Sequence, residues 1–363
     1  MVGIDRRLLQ NVDWMLLVTP TCVVGLSALT LSSVSVGRTG GGVALRQLAW
    51  FGLGLIALVV VASLDYRKLV RIGPLFYVVG LAGLAGVFVL GRTVSGARRW
   101  VVIGSMSIQP AEMFKICFVL AVVWLLSSRW AQPLTGAILA VALPLLAIPF
   151  VLILKQPDLG TALLLFPVLI ALLVAAGMRL KLLGGLGLAG LCALPLAWVV
   201  MKDYQRERIL VFLDPFRDPQ GSAYNVIQAK IAIGSGQLVG KGFAGATQSR
   251  LAFLPERHTD FIFAVFAETW GFIGCLVLLT CYAVLLLRGF DIAASAREPV
   301  GRLLALGATA LLGGQVLVNV GMVTGLMPVV GVPLPLMSYG GSSMLVSLMA
   351  LGLLLSVRMR QFQ

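Results

Sequence analysis

Ten apolar stretches, each long enough to cross a bilayer as a helix, leave this chain little choice of fold. They lie near 14–35, 46–64, 74–91, 110–127, 136–154, 159–177, 183–201, 260–288, 302–327 and 336–357, and about 20 residues suffice per crossing. In hydrocarbon every backbone N–H and C=O must find a partner within the protein, so these stretches are helices rather than loops. The expectation is an all-α integral membrane protein, one polytopic domain over 1–363, with ten transmembrane helices. The count rests most on the break at Lys155-Gln156-Pro157-Asp158, which must reach the surface to separate the fifth helix from the sixth. Composition agrees: 59% of residues are apolar and only 12% charged, about half the charge of a soluble chain.

The net charge of +14 reflects topology rather than nucleic-acid binding, because the basic residues of the short loops crowd one side. One set of ends holds Arg6, Arg7, Arg67, Lys68, Arg71, Arg129, Arg179, Lys181, Arg288, Arg297, Arg302, Arg358 and Arg360. The opposite short loops hold Arg38, Arg46, Arg92, Arg98, Arg99 and Lys155. Thirteen against six places the first set in the cytoplasm. Both termini are then inside, and the long loop 202–259, between helices 7 and 8, is outside. The apolar run from Trp14 is too long for a signal-peptide core and lacks a small-x-small cleavage site near its end, so it reads as a retained first span. Cys22, Cys117, Cys192, Cys275 and Cys281 all lie in apolar runs without a CxxC, which indicates neither disulfide nor zinc site.

The stretch 254–271, LPERHTDFIFAVFAETWG, puts chemistry at the mouth of one span. Glu256, Arg257, His258, Thr259 and Asp260 precede a run from Phe261 that stays mostly apolar to Leu287. A carboxylate at that boundary is costly unless it faces protein or an aqueous cavity. On a helix, Asp260, Ala264, Ala267, Gly271 and Gly274 share one narrow face of small residues, which lets helices approach closely and turns Asp260 inward. Such an aspartate can simply cap its helix; an ionisable group at this depth is also a functional candidate by default. His258, the single histidine, reads as a hydrogen-bonding or pH-sensitive neighbour of Asp260, and nothing resembles a metal cluster. Glu268, about 12 Å further along the axis, reads as structural or as the partner of a buried cation.

The outer loops supply the other candidates. Loop 92–109 carries Arg98, Arg99 and Trp100 together. An arginine doublet suits a phosphate, and a tryptophan can lie on a sugar or anchor the interface. Pro110 fits the first position of the next helix, and Glu112 and Lys115 share its face, as a structural ion pair or as a working one. Loop 202–259 is too long for a simple connection. It holds Arg208 within mixed charge, turn-forming Asp-Pro pairs, and an amphipathic segment over 224–242 that reads as an interfacial or re-entrant helix. Its Gly-Ser-Gly and Gly-Lys-Gly lack phosphate-loop spacing. The last outer segment, 319–343, is crowded with glycine and proline, including Gly340 and Gly341. Irregular backbone is tolerated in a membrane only inside protein or beside a wet cavity. Ser338, Tyr339, Ser342 and Ser343 add hydroxyls there, either to a polar site or to an architectural kink.

LPERHTDFIFAVFAE, SGARRW, IQPAEMFK, QPDLGT, AIGSGQLVGKG and NVGMVTGLMPVVGVPLPLMSYGGSS, in that family order, resemble the SEDS proteins (shape, elongation, division, sporulation), with the rod-shape branch nearer than the division branch. The resemblance covers nearly the whole chain and departs from the family pattern at Ala111, Thr269 and Val330. It implies a peptidoglycan glycosyltransferase of the bacterial cytoplasmic membrane, facing outward, that uses lipid II. It also implies a class B penicillin-binding protein as partner, and places the family's essential aspartate at Asp260. Asp260 would then be the base for the attacking sugar hydroxyl. Lys115, Arg98, Arg99 and Arg208 would stabilise the departing pyrophosphate; a divalent cation could take that role, although no cofactor is required by the residues. A lipid II transporter and a scaffold for a cell-wall enzyme are the competing readings.

Overall fold

The computed structural model describes residues 11–34, 40–94, 97–104, 106–128, 136–218, 221, 223–246 and 256–361. Arg6, Arg7, Arg38 and Arg129, counted above for orientation, lie outside the described residues, as do Pro219, Leu254 and Pro255. Helices α1 (Met15–Val34), α2 (Gly40–Ser63), α3 (Tyr66–Arg71) and α4 (Gly73–Leu90) come first. Strands β1 (Arg92–Val94), β2 (Ala97–Ile103) and β3 (Met106–Ile108) follow. Then come α5 (Pro110–Ser127), α6 (Gly136–Lys155), α7 (Leu159–Ala175) and α8 (Leu180–Val200). The long segment carries α9 (Asp203–Leu213), α10 (Tyr224–Ser235) and α11 (Gly242–Gly245). It leads into α12 (Ile262–Ser295), α13 (Pro299–Thr324) and α14 (Gly341–Met359).

Among the described residues eight helices are long and apolar enough to cross a membrane, and two shorter apolar ones, Leu159–Ala175 and Leu180–Leu196, accompany them. Each apolar stretch read from the sequence is helical here. The ends differ most in α12, which continues through Arg288-Gly289-Phe290-Asp291 to Ser295, because a helix need not stop where its apolar surface does. The all-α expectation needs correcting at 92–108, where β1–β2–β3 form a small antiparallel sheet. The stretch expected as an outer loop is thus a sheet, for which the two β-rich runs flanking Ser95-Gly96 are a hairpin signal.

The helices are apolar all round, so their faces are assigned by packing and not by periodicity. α5 and α14 are the inner pair, with 72% and 83% of their span residues buried, whereas α2 and α4 are mostly outward, at 17% and 22%. The small-faced helix expected at Asp260 takes a different form. Asp260 precedes α12, and every residue from Phe261 to Thr269 is buried. The helix then breaks at Gly271 (φ 65°, ψ −165°). The chain 236–241 closes that break with backbone bonds: Phe272 N donates to Gln237 O (2.8 Å), Ile273 N to Leu238 O (3.1 Å) and Lys241 N to Glu268 O (2.9 Å). Gly240 sits in the left-handed region (φ 84°), where a Cβ would lie 2.3 Å from Thr269 O. Gly240→Ala therefore combines a left-handed conformation costing about 1–2 kcal/mol with a backbone clash. We expect a lower melting temperature in detergent, while an alanine at exposed Gly187, which meets open space, moves it little.

The glycine- and proline-rich segment before α14 is irregular, and its carbonyls are all the more dependent on partners. Val332 O accepts from Asn319 Nδ2, Pro335 O from Tyr282 OH, Met337 O from Ser27 Oγ and Ser338 O from Gln47 Nε2. Side chains of α1, α2, α12 and α13 thus do what a helix would do for itself, which is the condition for non-helical backbone at membrane depth.

Candidate active site

Asp260 is fixed through its backbone. Three successive carbonyls are each held: His258 O accepts from Tyr339 N (2.8 Å), Thr259 O from Ser338 Oγ (2.7 Å) and Asp260 O from Asn319 Nδ2 (2.9 Å). Ser338 Oγ also accepts from Leu334 N, and Asn319 bridges to Val332. The turn 256–260 is therefore clipped to the segment 332–339. Glu256 and Leu336 hold positive φ of 51° and 64°, conformations that survive only where the surroundings over-determine them. Ser338 and Tyr339, expected to line a polar site, act here on the backbone of the turn. Gly340 precedes α14, and Gly341 lies against the indole of Trp50, where its lack of a side chain permits the close packing of that helix start.

The carboxylate of Asp260 lies over Gly331, where a Cβ would come within 3.3 Å of its Oδ2. Among the described residues no protein group donates a hydrogen bond to it, and it keeps some contact with solvent. Burial pushes its pKa up to about 6, and Glu256 pushes the same way. Arg99 and Arg208 pull it down, and Asp158 raises it again slightly. The groups around the carboxylate are thus two guanidiniums and two acids, Glu256 from the same turn and the other three from distant parts of the chain.

Local geometry explains which arginines arrive. Successive residues of a strand point to opposite faces, so β2 separates Arg98 from Arg99. Arg99 is the one in Asp260's electrostatic surroundings, and its Nε is buried without a partner. Arg98 turns away and donates through Nη1 to Phe88 O (2.8 Å). The doublet does not act as one fork, a correction that follows from strand period. Trp100 pairs with Arg92 across β1–β2, half-buried.

α9 brings Arg208 and Tyr204, one helical turn apart, to the same place. Arg206 ties α9 to the end of α8 through the carbonyls of Trp198 and Val199. Arg208 lies over the Tyr204 ring at 6.0 Å. Burial lowers its pKa, Tyr204 and Asp260 oppose that shift, and Arg99 reinforces it. The hydroxyl of Tyr204 is also buried without a partner.

Asp158 and Gln109 were not singled out from the sequence. Asp158 Oδ1 caps α7 by accepting from Thr161 N (3.1 Å), and Oδ2 accepts from Gln109 Nε2 (2.6 Å). Gln109 N in turn donates to Ser342 Oγ. The Pro-Asp-Leu-Gly-Thr run carries a local helix-cap pattern for Asp158, but only the fold brings it to Asp260. Asn319 and Tyr204 were likewise visible only through long-range contacts.

Other candidates lie elsewhere in role. Lys115 is fully buried, with its Nζ on both oxygens of Glu112 at 2.8 and 2.7 Å. Glu268 is fully buried in the half of α12 before the break. His258 has its pKa lowered, first by burial and then by Arg257, and its Nδ1 is buried without a partner. It is not among the groups that shift Asp260. Among the described residues no three His, Cys, Asp or Glu side chains gather closely enough to hold a metal ion.

The arrangement can bind an anion beside a carboxylate able to take a proton near pH 6. Comparison with known proteins gives this site a context. A family model described as "Cell cycle protein", FTSW_RODA_SPOVE, matches residues 7–363. The chain is 40% identical over 346 residues to peptidoglycan glycosyltransferase MrdB of Escherichia coli K12, covering 93% of this chain and 92% of that one. It is 37% identical over 324 residues to stage V sporulation protein E of Bacillus subtilis, covering 86% of each. Among solved structures it is similar to rod shape determining protein RodA of Thermus thermophilus (TM-score 0.73, 31% identity, 97% and 98% covered). It is also similar to a chain from work described as "Structural coordination of polymerization and crosslinking by a peptidoglycan synthase complex" (TM-score 0.83, 35% identity, 97% and 99% covered).

Proposed function

The chain belongs to the FtsW/RodA/SpoVE family of cell-cycle proteins, and from that premise we propose that it is a peptidoglycan glycosyltransferase that joins lipid-II-linked disaccharides into glycan strands during elongation and shape maintenance. The observation that carries this reading is the Asp260 carboxylate, without a protein donor among the described residues, beside the unpartnered buried Nε of Arg99.

Lipid II keeps its polyprenyl tail in the bilayer and its sugars in water, so the reaction belongs at a boundary such as the start of α12. In the reaction the 4-hydroxyl of one disaccharide attacks the anomeric carbon of the next unit. The bond to the lipid pyrophosphate breaks, the pyrophosphate leaves with the electron pair, and the anomeric carbon inverts. Asp260 takes the hydroxyl proton, help worth about 10²–10⁴ in rate. Arg99 and Arg208 meet the negative charge that develops on the pyrophosphate. A second carboxylate at the distance of a double-displacement pair is not needed. A divalent cation would supply further charge neutralisation. One or two carboxylates together with substrate phosphates suffice to hold magnesium, and Asp260, without a protein donor among the described residues, has oxygens for it.

In this reading α7 and α8 complete a set of ten spans, both termini lie in the cytoplasm, and the site faces outward across the bacterial inner membrane. The long segment with α9–α11 stands at the outer surface. The similarity to a chain of a polymerising and cross-linking complex supports a class B penicillin-binding protein as partner.

The test is polymerisation of supplied lipid II by the purified chain with its partner, with and without chelator. Arg99→Gln and Arg208→Gln are each expected to lower the rate about 10²-fold, the usual effect of one lost charge-stabilising donor. Arg98→Gln should stay within a few-fold of wild type. Equal effects at Arg98 and Arg99 would contradict the separation of the doublet by β2.

A further inference from the structure

At the far end of α12 from Asp260 lies a polar hollow of about 100 Å³, lined by Tyr66, Arg67, Arg297, Glu298, Arg360 and Gln361. It is roomy enough for several waters or one tetrahedral anion. It opens where three candidate spans end, at the close of α2, α12 and α14, so it lies at the level of lipid headgroups.

Its walls are built by specific contacts. Arg360 is nearly buried: Nη1 donates to Ala62 O, Ser356 O and Ser356 Oγ, and Nη2 to Ser63 O. It thereby ties the end of α14 to the last carbonyls of α2 and brings a charge into the hollow. Arg67 spends only one nitrogen, Nε, on Glu298 Oε2 (2.8 Å), and Tyr66 OH donates to the same oxygen (3.1 Å). The two terminal nitrogens of Arg67 have no partner among the described residues, and its side chain is 36% exposed. Asp65, the other nearby acid, is used as the cap of α3, accepting from Arg67 N (2.9 Å). Arg67, Arg297 and Arg360 thus line the hollow together with Glu298, Asp65 lies near Arg67 and Arg360, and the Arg67 guanidinium lies over the Tyr66 ring at 5.3 Å.

We propose that this hollow binds the phosphate of an anionic membrane-lipid headgroup. A guanidinium with both terminal nitrogens free matches two phosphate oxygens at once. Basic pockets between helix ends are suited to such headgroups. A lipid is favoured over a soluble phosphate because the apolar surface beside the hollow is exposed: Leu64 next to Ser63, and Phe290 on the last turns of α12. Acyl chains would run along these residues once the phosphate is seated. The site is distant from Asp260 and independent of the glycosyl-transfer reading.

The experiment uses the full chain in detergent and measures retained lipid by native mass spectrometry. Dioleoyl phosphatidylglycerol is compared with dioleoyl phosphatidylcholine, and inorganic phosphate is added in a parallel thermal-shift series. Wild type is expected to retain the phosphatidylglycerol several-fold better than the phosphatidylcholine. Arg67→Gln and Arg297→Gln should each weaken that retention about five-fold, the value of one arginine near an anionic surface. Glu298→Gln, which removes the competing acid, should strengthen it. This opposite sign cannot arise from misfolding. Retention unchanged in the Arg67→Gln/Arg297→Gln double variant overturns the proposal, as does equal retention of the two lipids. Inorganic phosphate that stabilises wild type as well as phosphatidylglycerol, with the same loss in the variants, assigns the site to a soluble anion and overturns the lipid.

Discussion

Asp260→Asn will abolish glycan polymerisation, by about 10²–10⁴-fold, and at the same time make the protein more stable at neutral pH. The two effects have one cause. Burial holds the folded-state pKa of this carboxyl at about 6, against 3.8 for the free side chain. Between those values the folded protein keeps a proton that the unfolded chain has lost, so stability falls as pH rises through the window. Above about pH 6 the full cost is in place. The gap corresponds to at most about 3 kcal/mol. Asparagine keeps the shape and removes the charge, so the variant should melt above wild type at pH 7.5, with the difference shrinking toward pH 4. Wild-type polymerisation should rise with pH through about 6 as the base form appears. Polymer formed by Asp260→Asn at the wild-type rate from supplied lipid II would remove Asp260 as the base and favour a scaffold reading. A variant that melts below wild type at neutral pH would contradict the burial argument.

Lys115→Met will be the most destabilising single change at a charged position. Lys115 and Glu112 are both buried and hydrogen-bonded to each other at 2.7–2.8 Å. Removing one partner leaves an uncompensated charge in a low-dielectric interior, a loss of about 3–5 kcal/mol. The double variant Lys115→Met/Glu112→Gln removes both charges and should recover most of that loss, because a buried pair is often no better than neutral groups of similar volume. The melting temperatures of the single and double variants, measured in the same detergent, decide the point. Polymerisation by the double variant then separates the two roles open from the sequence. Recovered stability with recovered rate makes the pair architectural; recovered stability without rate makes Lys115 part of the chemistry.

By itself the sequence determined where the helices lie and which carboxylate is the candidate base. Twenty apolar residues in a row have only one way to satisfy their backbone in lipid, so 14–35 or 110–127 could be assigned without a neighbour in view. Asp260 stood out because an acid at the edge of such a run needs a reason. The tertiary structure decided everything that depends on which groups meet. Helices apolar on every side carry no signal for their packing face, so the inner position of α5 and α14 could not be read from them. Arg98 and Arg99 look equivalent in a string and differ only because a strand sends them to opposite sides. Asp158, Arg208 and Asn319 come from separate helices, and their meeting at Asp260 is a long-range event with no local trace. The break at Gly271 is likewise decided by a partner thirty residues away, the turn at Gly240 that completes the interrupted helix with its own backbone.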